Sequence, residues 1–589
     1  MAKVLAVIAA RLNSSRLPGK QLLDLAGEPL IARIFQRLAQ VSEIDEAVLA
    51  TTADDYNQPL MAWAEQTGQQ AFAFGGDVND VVGRVDAVVK NSDADIIVFC
   101  CGDSPLLEPP TLSKMIQALQ KNTEIDFVSL RSGIENQPII HEGFYPYRRA
   151  VWQRMVDEAT SAELREHVGL VMREFIDELK QQWIDEAPIY SQVKHRISVD
   201  TISDYQFMSA VYRRWYRDHD AQTIVSLPWV IEQLQQDAQL TAINQKVLQR
   251  DPSQIAPNVL IVTQCGQQYG LGHLARSCVL ARQFQDQMAA GVSLLVQGDR
   301  PNYPALDLFP HQMIDWQTSL IAAVQTQLSI AAVDVIIFDL AILADESSLR
   351  YFLQQVAFKS VVKVAVDGLF QLADQWDYIH VPSFYLAAET IKKINPSKLG
   401  YGWDYYLLAP VTEAKVWQPG SKILVMTGGS DEQGLGQQWP ALLDQSLPET
   451  MEIIWVRGPY APAPDVPTQA RLNWQVLNAP SNLQEIMPEC DYALCMYGVS
   501  FFELLQHGVP SVVWCANEKL KQEMQALKGQ AVAQVAASID DAVVQLNRLV
   551  RDDQSALACH QQAVHLLANQ QGSAVLVDRV SHLLEQNKT

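Results

Sequence analysis

Short apolar runs rich in β-branched residues alternate along the chain with segments of helical periodicity. Three of these runs, at residues 3–9, 258–263 and 421–426, each lead into a glycine-containing polar loop and then a helical pattern. Strands that alternate with helices form parallel sheets buried between helices. We therefore predict an α/β protein whose ligand sites lie in the loops beyond the carboxyl ends of the strands.

The length predicts several domains. At roughly 100–200 residues per domain, a chain of 589 residues corresponds to about three to five domains. Residues 230–254 have a helical pattern and end in the segment DPSQIAP, at 251–257, which is typical of a linker. We predict a domain at 1–235, a helical and linker segment at 236–257, and two lobes at 258–415 and 416–589. Further strands are predicted at 46–51, 94–100, 334–338, 361–366, 451–456 and 511–515.

The chain is strongly acidic. It carries 44 Lys and Arg against 67 Asp and Glu, which gives a net charge of −23. A field of that sign repels nucleic acids and anionic membranes, so neither is an expected partner. No apolar run approaches the roughly 18–20 residues that span a bilayer, and we predict a cytoplasmic protein. An anionic substrate would need a local cluster of cations, backbone N–H groups or a divalent cation.

The loop after the first predicted strand, ARLNSSRLPGK at 10–20, gathers cations and small residues. Such a loop suits a triphosphate, because the backbone can approach closely and the cations offset charge on the leaving pyrophosphate. A solvated basic loop is the alternative interpretation, and the acidity of the whole chain makes it the weaker one. The residues concerned are Arg11, Ser14, Ser15, Arg16, Gly19 and Lys20.

Two carboxylates follow predicted strands of the same region. Asp103 comes directly after the strand at 94–100, and Asp200 is placed at the end of a second alternating strand within 195–205. Carboxylates from two strand ends can hold Mg²⁺ against a triphosphate. Spacing alone does not single out this pair, since any α/β protein has several such residues.

Four segments occur in the order found in sugar cytidylyltransferases: the 10–20 loop, GDSPLLEPP, LREHV and ISVDTISDY. The region to about residue 235 resembles this family, which makes CMP-activated acidic sugars, and in particular its SpsF-like branch. The resemblance implies a Rossmann-like, GT-A-like nucleotidyltransferase domain, often dimeric, in which a sugar oxygen attacks the α-phosphate of CTP and expels pyrophosphate. It implies that Arg11, Arg16 and Lys20 bind the phosphates, with Ser14 and Ser15 in the same loop, Arg16 and Lys20 acting in catalysis, Asp103 and Asp200 binding Mg²⁺, and Asp80 and Arg84 near the site. His167 is either catalytic or structural at a helix start.

The loop after the second predicted start reads QCGQQYGLGHLARS, at 264–277. Gly270 and Gly272 let backbone N–H groups face an anion at the N-terminus of a helix. His273 lies at the same strand edge, where an imidazole can act as a general base, and Arg276 follows one turn later. The alternative for a single histidine here is a capping or packing role.

The last third of the chain supplies a matching set of residues. TGGSD, at 427–431, is another glycine-rich turn between strand and helix, and a helix within 496–510 carries Ser500 and Glu503. A carboxylate on a helix that faces a cleft suits contact with a ribose diol.

Together, GLGHLAR, TGGSD and GVSFFELLQHGVP resemble the GT-B architecture, and in particular the PseG-type UDP-sugar hydrolases of pseudaminic acid biosynthesis. The resemblance implies two Rossmann-like lobes, with UDP held mainly by the second lobe. It also implies that His273 helps water to displace UDP from a UDP-2,4-diacetamido-2,4,6-trideoxyhexose. Asp339 and Asp367, at strand ends of the first lobe, are placed to assist. The residues implied are Gly272, His273, Arg276, Gly428, Gly429, Ser430, Ser500 and Glu503.

Three hypotheses follow for the whole chain. The first is a bifunctional enzyme of acidic-sugar biosynthesis, with a CTP-dependent, Mg²⁺-dependent cytidylyltransferase in front and a UDP-sugar hydrolase behind. The second keeps the front enzyme and makes the rear region a GT-B glycosyltransferase. The third makes the rear region an inactive sugar-nucleotide-binding module. The fold does not decide among them.

Overall fold

The computed structural model describes residues 2–141, 143–248, 256–355, 360–411, 416–480, 482–567 and 571–588. The chain forms two compact units, Met1–Ile255 and Ala256–Thr589. Most of the predicted linker at 251–257 lies outside the described residues. The division of the chain at 1–235, 236–257, 258–415 and 416–589 stays a prediction.

The first unit is built around a seven-stranded sheet in its described part, in the order β3-β2-β1-β4-β6-β5-β7. The predicted strands at 3–9, 46–51 and 94–100 are confirmed as β1, β2 and β4, with their ends shifted by at most two residues. The strands are β1 (Val4–Ala9), β2 (Glu46–Thr52), β3 (Gln70–Phe74), β4 (Ile96–Cys101), β5 (Phe127–Arg131), β6 (Phe144–Arg148) and β7 (Gln181–Asp185).

One strand departs from the predicted parallel arrangement. β6 runs antiparallel to both β4 and β5, whereas the other pairs are parallel. The chain passes from β5 to β6 through residues 132–143 without a described helix. A parallel pairing needs a longer crossover connection, so the returning strand runs antiparallel.

Helices cover both faces of this sheet. The pattern at 230–254 proves less helical than predicted, because the helix ends at Gln236 and the carboxylate of Asp237 then caps a short helix. The helices are α1 (Leu30–Leu38), α2 (Gln58–Thr67), α3 (Val81–Lys90), α4 (Pro109–Lys121), α5 (Arg149–Glu158), α6 (Ala162–Glu166), α7 (Val168–Arg173), α8 (Ile202–Asp218), α9 (Leu227–Gln236) and α10 (Ala238–Ala242).

The second unit contains two parallel sheets, as the alternating pattern predicts. Within the described residues their orders are β10-β9-β8-β11-β12-β13-β14 and β17-β16-β15-β18-β19-β20. The six predicted strands of this region are confirmed to within two residues. The strands are β8 (Asn258–Cys265), β9 (Gly291–Gly298), β10 (His311–Ile314), β11 (Val335–Asp339), β12 (Val362–Val366), β13 (Tyr378–Val381), β14 (Leu399–Tyr401), β15 (Lys422–Met426), β16 (Glu452–Arg457), β17 (Asn473–Asn478), β18 (Tyr492–Met496), β19 (Ser511–Trp514) and β20 (Gln534–Val535).

The last helix of the second unit returns to the first of its two sheets. Ser573 donates to the Gln283 side chain at 3.4 Å, and Arg579 donates to the Ser397 carbonyl oxygen at 2.7 Å. The helices are α11 (Gly272–Met288), α12 (Pro304–Asp307), α13 (Leu320–Ile330), α14 (Glu346–Leu353), α15 (Ala388–Ile391), α16 (Leu435–Ser446), α17 (Leu483–Ile486), α18 (Val499–Gln506), α19 (Lys521–Gln530), α20 (Ile539–Leu549), α21 (Asp553–Leu567) and α22 (Gly572–Lys588). None of the helices in the described ranges combines the length and apolar character that crossing a membrane requires.

Candidate active sites

In the first unit, Lys20 connects the two carboxylates that the resemblance assigns to Mg²⁺. The loop after β1 turns at Gly19, whose φ of 69° favours glycine, and the next side chain enters the interior. Lys20 Nζ lies 2.9 Å from Asp200 Oδ1 and 3.3 Å from Asp103 Oδ2. It also donates to the Val199 carbonyl oxygen at 2.9 Å. The ammonium group therefore joins two chain segments that are distant in sequence.

Asp200 is paired with three cations. In addition to Lys20, Arg16 lies 3.3 Å from Asp200 Oδ2, and Arg196 pairs with the same oxygen. Burial opposes ionisation of Asp200, but Lys20, Arg16 and Arg196 hold its pKa well below the usual value. Burial likewise opposes the charge on Lys20, yet Asp200 and Asp103 raise its pKa. The carboxylate and the ammonium are therefore both charged at neutral pH.

The local structure at Asp200 differs from the prediction. Asp200 does not end a strand, because residues 192–200 form no strand in the described structure. The alternation at Ile197 and Val199 reflects burial of these two side chains rather than ladder pairing. Asp200 instead precedes α8, and its backbone N–H donates to Asp204 Oδ2 at 3.1 Å. The start of a helix, rather than a strand end, fixes this carboxylate.

Arg11 and Arg84 lie against a different segment, the loop at 77–80. Arg11 donates to the Val78 carbonyl oxygen at 2.9 Å and to the Asn79 side chain at 2.6 Å, while Arg84 donates to the same carbonyl at 2.6 Å. Burial and the neighbouring Arg11 lower the pKa of Arg84 to about 10. The two guanidinium groups thus hold this loop beside the end of β1.

Asp80 caps the helix that follows this loop. Its Oδ1 accepts from the Gly83 N–H at 2.7 Å at the start of α3, and its Oδ2 lies 2.8 Å from Arg165. Arg165 comes from α6, and His167 joins α6 to α7. The structure therefore shows His167 at a helix boundary, and its catalytic role stays a prediction.

The two serines of the 10–20 loop differ in setting. Ser14 Oγ accepts from the Leu17 N–H at 3.3 Å and so shapes the loop, whereas Ser15 is exposed. Ser15 is consequently the more accessible of the two to a ligand.

In the second unit, His273 lies in the first turn of α11 and contacts the end of β11. Its Nδ1 is 2.7 Å from Asp339 Oδ1. Asp339 is almost fully buried, and the imidazole is 19% exposed. A terminal nitrogen of Arg276, which can only donate, also lies 2.7 Å from Nδ1 but donates to Asp339 Oδ1. We assign the Nδ1–H tautomer from the contact with the buried carboxylate, which can only accept, and this leaves Nε2 as the nitrogen that can accept a proton.

Arg276 pairs with both oxygens of the Asp339 carboxylate. Its Nε and one terminal nitrogen lie 2.7 and 2.5 Å from the two Asp339 oxygens, and the other terminal nitrogen is 2.6 Å from Asp367 Oδ2. Burial opposes ionisation, but Arg276 and His273 lower the pKa of Asp339 to about 2. Asp339 is therefore ionised at neutral pH, and its carboxylate fixes the orientation of the His273 imidazole ring.

Glycine loops from the two sheets of the second unit lie in close contact. A Cβ on Gly429 would lie 3.1 Å from the Leu271 backbone nitrogen, and a Cβ on Gly272 would lie 3.4 Å from Val499. Gly428, with φ 87°, and Ser430 belong to the same turn after β15. The two loops therefore lie close enough together to contact the same ligand.

Glu503, on α18, is held by an amide. Its Oε1 accepts from Gln484 Nε2 at 2.7 Å, and Gln484 Oε1 lies 3.0 Å from His507 Nε2. Burial raises the pKa of Glu503 to about 7, although Gln484 and Ser500 act in the opposite direction. This carboxyl group therefore changes charge near neutral pH.

Comparison with known proteins identifies the family. Residues 5–241 match the family model described as cytidylyltransferase. A 3-deoxy-manno-octulosonate cytidylyltransferase of Trichlorobacter lovleyi is 30% identical over 193 residues, covering 28% of this chain and 74% of that protein. The chain belongs to the cytidylyltransferase family. The spore coat polysaccharide biosynthesis protein SpsF of Bacillus subtilis is 27% identical over 218 residues, covering 36% of this chain and 88% of that protein. A cytidylyltransferase structure from Leptospira borgpetersenii covers 42% of this chain and 100% of its own, with 22% identity and a TM-score of 0.37.

The family model and the relative from Trichlorobacter lovleyi confirm the resemblance to cytidylyltransferases for the first unit, a nucleotidyltransferase. Its own strand order, β3-β2-β1-β4, is that of a Rossmann-like α/β fold. The matched residues include β1 from its second residue onwards, the 10–20 loop, Asp103 and Asp200. The Lys20–Asp103–Asp200 cluster is consequently placed within the matched region.

The carboxylates of this cytidylyltransferase fit Mg²⁺ only if a bound nucleotide supplies further oxygen ligands. Among the described residues, no three His, Cys, Asp or Glu side chains form a metal-binding group. Asp103 and Asp200 both reach the Lys20 ammonium, so they can reach one cation between them. Mg²⁺ is commonly held by one or two carboxylates together with substrate phosphates and water.

Several residues of these sites were missed by sequence reasoning. Arg196 and Asp204 lie within the ISVDTISDY region or beside it, but nothing in the spacing distinguishes them from other charged residues. In the second unit, Glu523 accepts from Ser383 at 2.6 Å and from Tyr497 at 2.7 Å, which are side chains that follow β13 and β18. Such contacts depend on tertiary packing, and no pattern in the sequence predicts them.

Proposed function

We propose that the cytidylyltransferase unit transfers CMP from CTP to an oxygen of an acidic sugar, with release of pyrophosphate. The observation that carries this proposal is the position of the Lys20 ammonium between Asp103 and Asp200, with Arg16 also paired with Asp200. The acceptor class is supported by the relative from Trichlorobacter lovleyi, which is a 3-deoxy-manno-octulosonate cytidylyltransferase.

In this proposal the chain's own residues position the phosphates. A sugar oxygen attacks the α-phosphorus, the bond to the bridging oxygen of the β-phosphate breaks, and pyrophosphate leaves. Arg16 and Lys20 turn from Asp200 towards the phosphates and offset charge on the leaving group. Asp103 and Asp200 hold Mg²⁺, which when bound neutralises phosphate charge. Arg11 and Arg84 fix the loop at 77–80 at the edge of the site.

The test is pyrophosphate release from CTP with Mg²⁺ and a panel of 3-deoxy-2-ulosonic acids. We expect Asp103→Asn to lower turnover by at least about 100-fold, since a carboxylate that holds the metal is lost. The matched control is Asp93→Asn, an exposed aspartate that precedes β4 and pairs with Lys3. Wild-type protein that releases no pyrophosphate with any acid of the panel contradicts the proposal.

For the second unit, we propose a GT-B arrangement that binds a UDP-sugar and hydrolyses it. The supporting observation is the His273–Asp339 contact at the carboxyl edge of the first sheet, beside the glycine loops. His273 Nε2 accepts a proton from water, the water oxygen bonds to the anomeric carbon, and the bond from that carbon to the diphosphate oxygen breaks. UDP and the free sugar are the products.

UDP release from a UDP-diacetamido-trideoxyhexose tests this second activity. We expect His273→Ala to abolish release and to leave CTP turnover unchanged, whereas His582→Ala, on an exposed position of α22, leaves both activities intact. Release that requires an added acceptor would show a glycosyltransferase instead. Binding of UDP without turnover in the wild type would show an inactive binding module.

A further inference from the structure

A cavity of about 380 Å³ lies at the carboxyl end of the first sheet of the second unit. Its walls come from the loops that follow β8, β9 and β10, which are neighbouring strands. Ligand sites of parallel α/β sheets lie at this edge. The lining residues are Gln267, Gln268, Tyr269, Asp299 and Trp316.

Two aromatic side chains form one side of this cavity. The ring centroids of Tyr269 and Trp316 are 5.1 Å apart, with an angle of 51° between the planes, and both residues are half-buried. Two glycines lie beside them: a Cβ on Gly266 would lie 2.9 Å from Asp299 Oδ2, and a Cβ on Gly298, which would first collide with the Cys265 carbonyl oxygen, would lie 3.2 Å from Trp316. The close approach of these backbones therefore defines the shape of the cavity.

Buried polar side chains fix the turn that carries Trp316. Gln264 donates to Gln297 at 3.0 Å, and Gln297 donates to the Thr318 carbonyl oxygen at 3.0 Å. The Asp315 carboxylate accepts from the Thr318 N–H at 2.8 Å and so closes the turn at 315–318. Trp316 is thus held in place before any ligand arrives, which lowers the entropic cost of binding.

The lining chemistry selects an uncharged, hydroxyl-rich ligand. Aromatic faces pack against the C–H face of a pyranose ring, and the amides of Gln267 and Gln268 both donate and accept hydrogen bonds. The Asp299 carboxylate accepts from hydroxyl and amide groups but repels phosphate. None of the five lining residues is a cation, so the diphosphate of a nucleotide is not stabilised here.

We propose that this cavity is the subsite for the glycosyl group of a sugar nucleotide, a neutral pyranose that carries hydroxyl and acetamido groups. The proposal rests on the proposed function of the second unit. Tyr269 directly precedes Gly270, whose loop lies against Gly429. A ligand whose diphosphate lies on these glycine loops can therefore extend its sugar towards Tyr269 and Trp316.

Calorimetry on the full chain tests the subsite, with UDP and UDP-N-acetylglucosamine as the probes. We expect the wild type to bind the sugar nucleotide at least 10-fold more tightly than UDP. Trp316→Ala should remove this preference while UDP affinity stays within twofold of the wild type. Trp183→Ala, an exposed tryptophan of the first unit, should leave both affinities unchanged.

Each other outcome has a defined meaning. A Trp316→Ala variant that also loses affinity for UDP would place the nucleobase in the cavity. A variant that keeps the preference for UDP-N-acetylglucosamine over UDP would exclude the cavity as the sugar subsite. Either result overturns the inference. If the wild type binds no UDP, the proposed function fails, and saturation-transfer NMR with methyl N-acetylglucosaminide then tests the cavity alone. A saturation-transfer signal lost in Trp316→Ala supports the subsite, and no signal in the wild type overturns it. Trp316→Phe, which keeps an aromatic ring, should retain the preference and serves if the alanine variant does not fold.

Discussion

The Asp339 carboxylate gives a prediction whose magnitude follows from the structure. Asp339 contacts both His273 and Arg276 and is 2% exposed. Its pKa is about 2 in the folded chain, against a usual value of 3.8. A lowering of this size corresponds to about 2 kcal/mol of folding free energy. Because the group is buried, solvent screening removes little of this contribution.

The sign of the pH dependence follows from the lowered pKa. The unfolded chain binds a proton on Asp339 more readily than the folded chain does, so the stabilisation is fully present above about pH 4. It is lost as the pH falls through the folded pKa near 2, and about 1 kcal/mol is lost by pH 3. Asp339→Asn cannot show this loss. At pH 7 the variant should be less stable by about 3–5 kcal/mol, since the buried Arg276 loses its main partner.

Urea unfolding read by pulsed hydrogen exchange and mass spectrometry measures this difference unit by unit. Peptides from β11 and α11 report on the second unit, and peptides from β1 report on the first. The gap between the wild type and Asp339→Asn should narrow by about 1 kcal/mol between pH 7 and pH 3. Asp578→Asn, on an exposed position of α22, is the matched control and should show no such change. A gap that stays constant with pH refutes the assignment of the stabilisation to the ionised carboxylate.

Two further predictions concern the ligands. Lys20→Met should lower CTP turnover by at least about 100-fold, because the proposed mechanism uses this ammonium group to offset charge on the leaving pyrophosphate. Lys90→Met, at an exposed position of α3, should leave turnover unchanged in the same pyrophosphate assay. Burial raises the pKa of Glu503 to about 7. If its carboxylate binds the ribose of UDP, as the sequence predicts, the protein's affinity for UDP should rise between pH 6 and 8 as the carboxylate forms. Calorimetry should show this rise in the wild type and a flat profile in Glu503→Gln; a matching slope in both proteins would contradict the prediction.

Much of the fold could be predicted from local patterns. Strands such as β8 and β15 are continuous apolar runs bounded by polar loops, and a buried parallel strand has this signature. β6 could not be predicted, because FYPYR contains a proline and its direction depends on the length of the preceding connection. The helical pattern at 230–254 was overestimated, since Asp237 ends one helix and caps the next.

The candidate site in the first unit was predictable to the extent that its residues follow strands or glycines. Lys20 and Asp103 satisfy this condition, and the structure brings them together. Arg196 and Asp204 do not satisfy it. These two residues pair with each other at the buried start of α8 and hold Asp200 there. Residues whose role is to position another side chain produce no helix or strand periodicity in the sequence, so they cannot be predicted from it.

The charge of the cluster around Asp200 has a consequence that the sequence pattern alone does not give. The ion pairs of this cluster join three cations to three carboxylates. The cations are Lys20, Arg16 and Arg196, and the carboxylates are Asp103, Asp200 and Asp204. These charges cancel, so the cluster is not a positive site in a chain of net charge −23. In the proposed function, a triphosphate that draws Arg16 and Lys20 away from Asp200 leaves the carboxylates without their countercharge. We therefore predict that Mg²⁺ would be required for CTP binding as well as for turnover, because Asp103 and Asp200 would hold it in place of the departing cations.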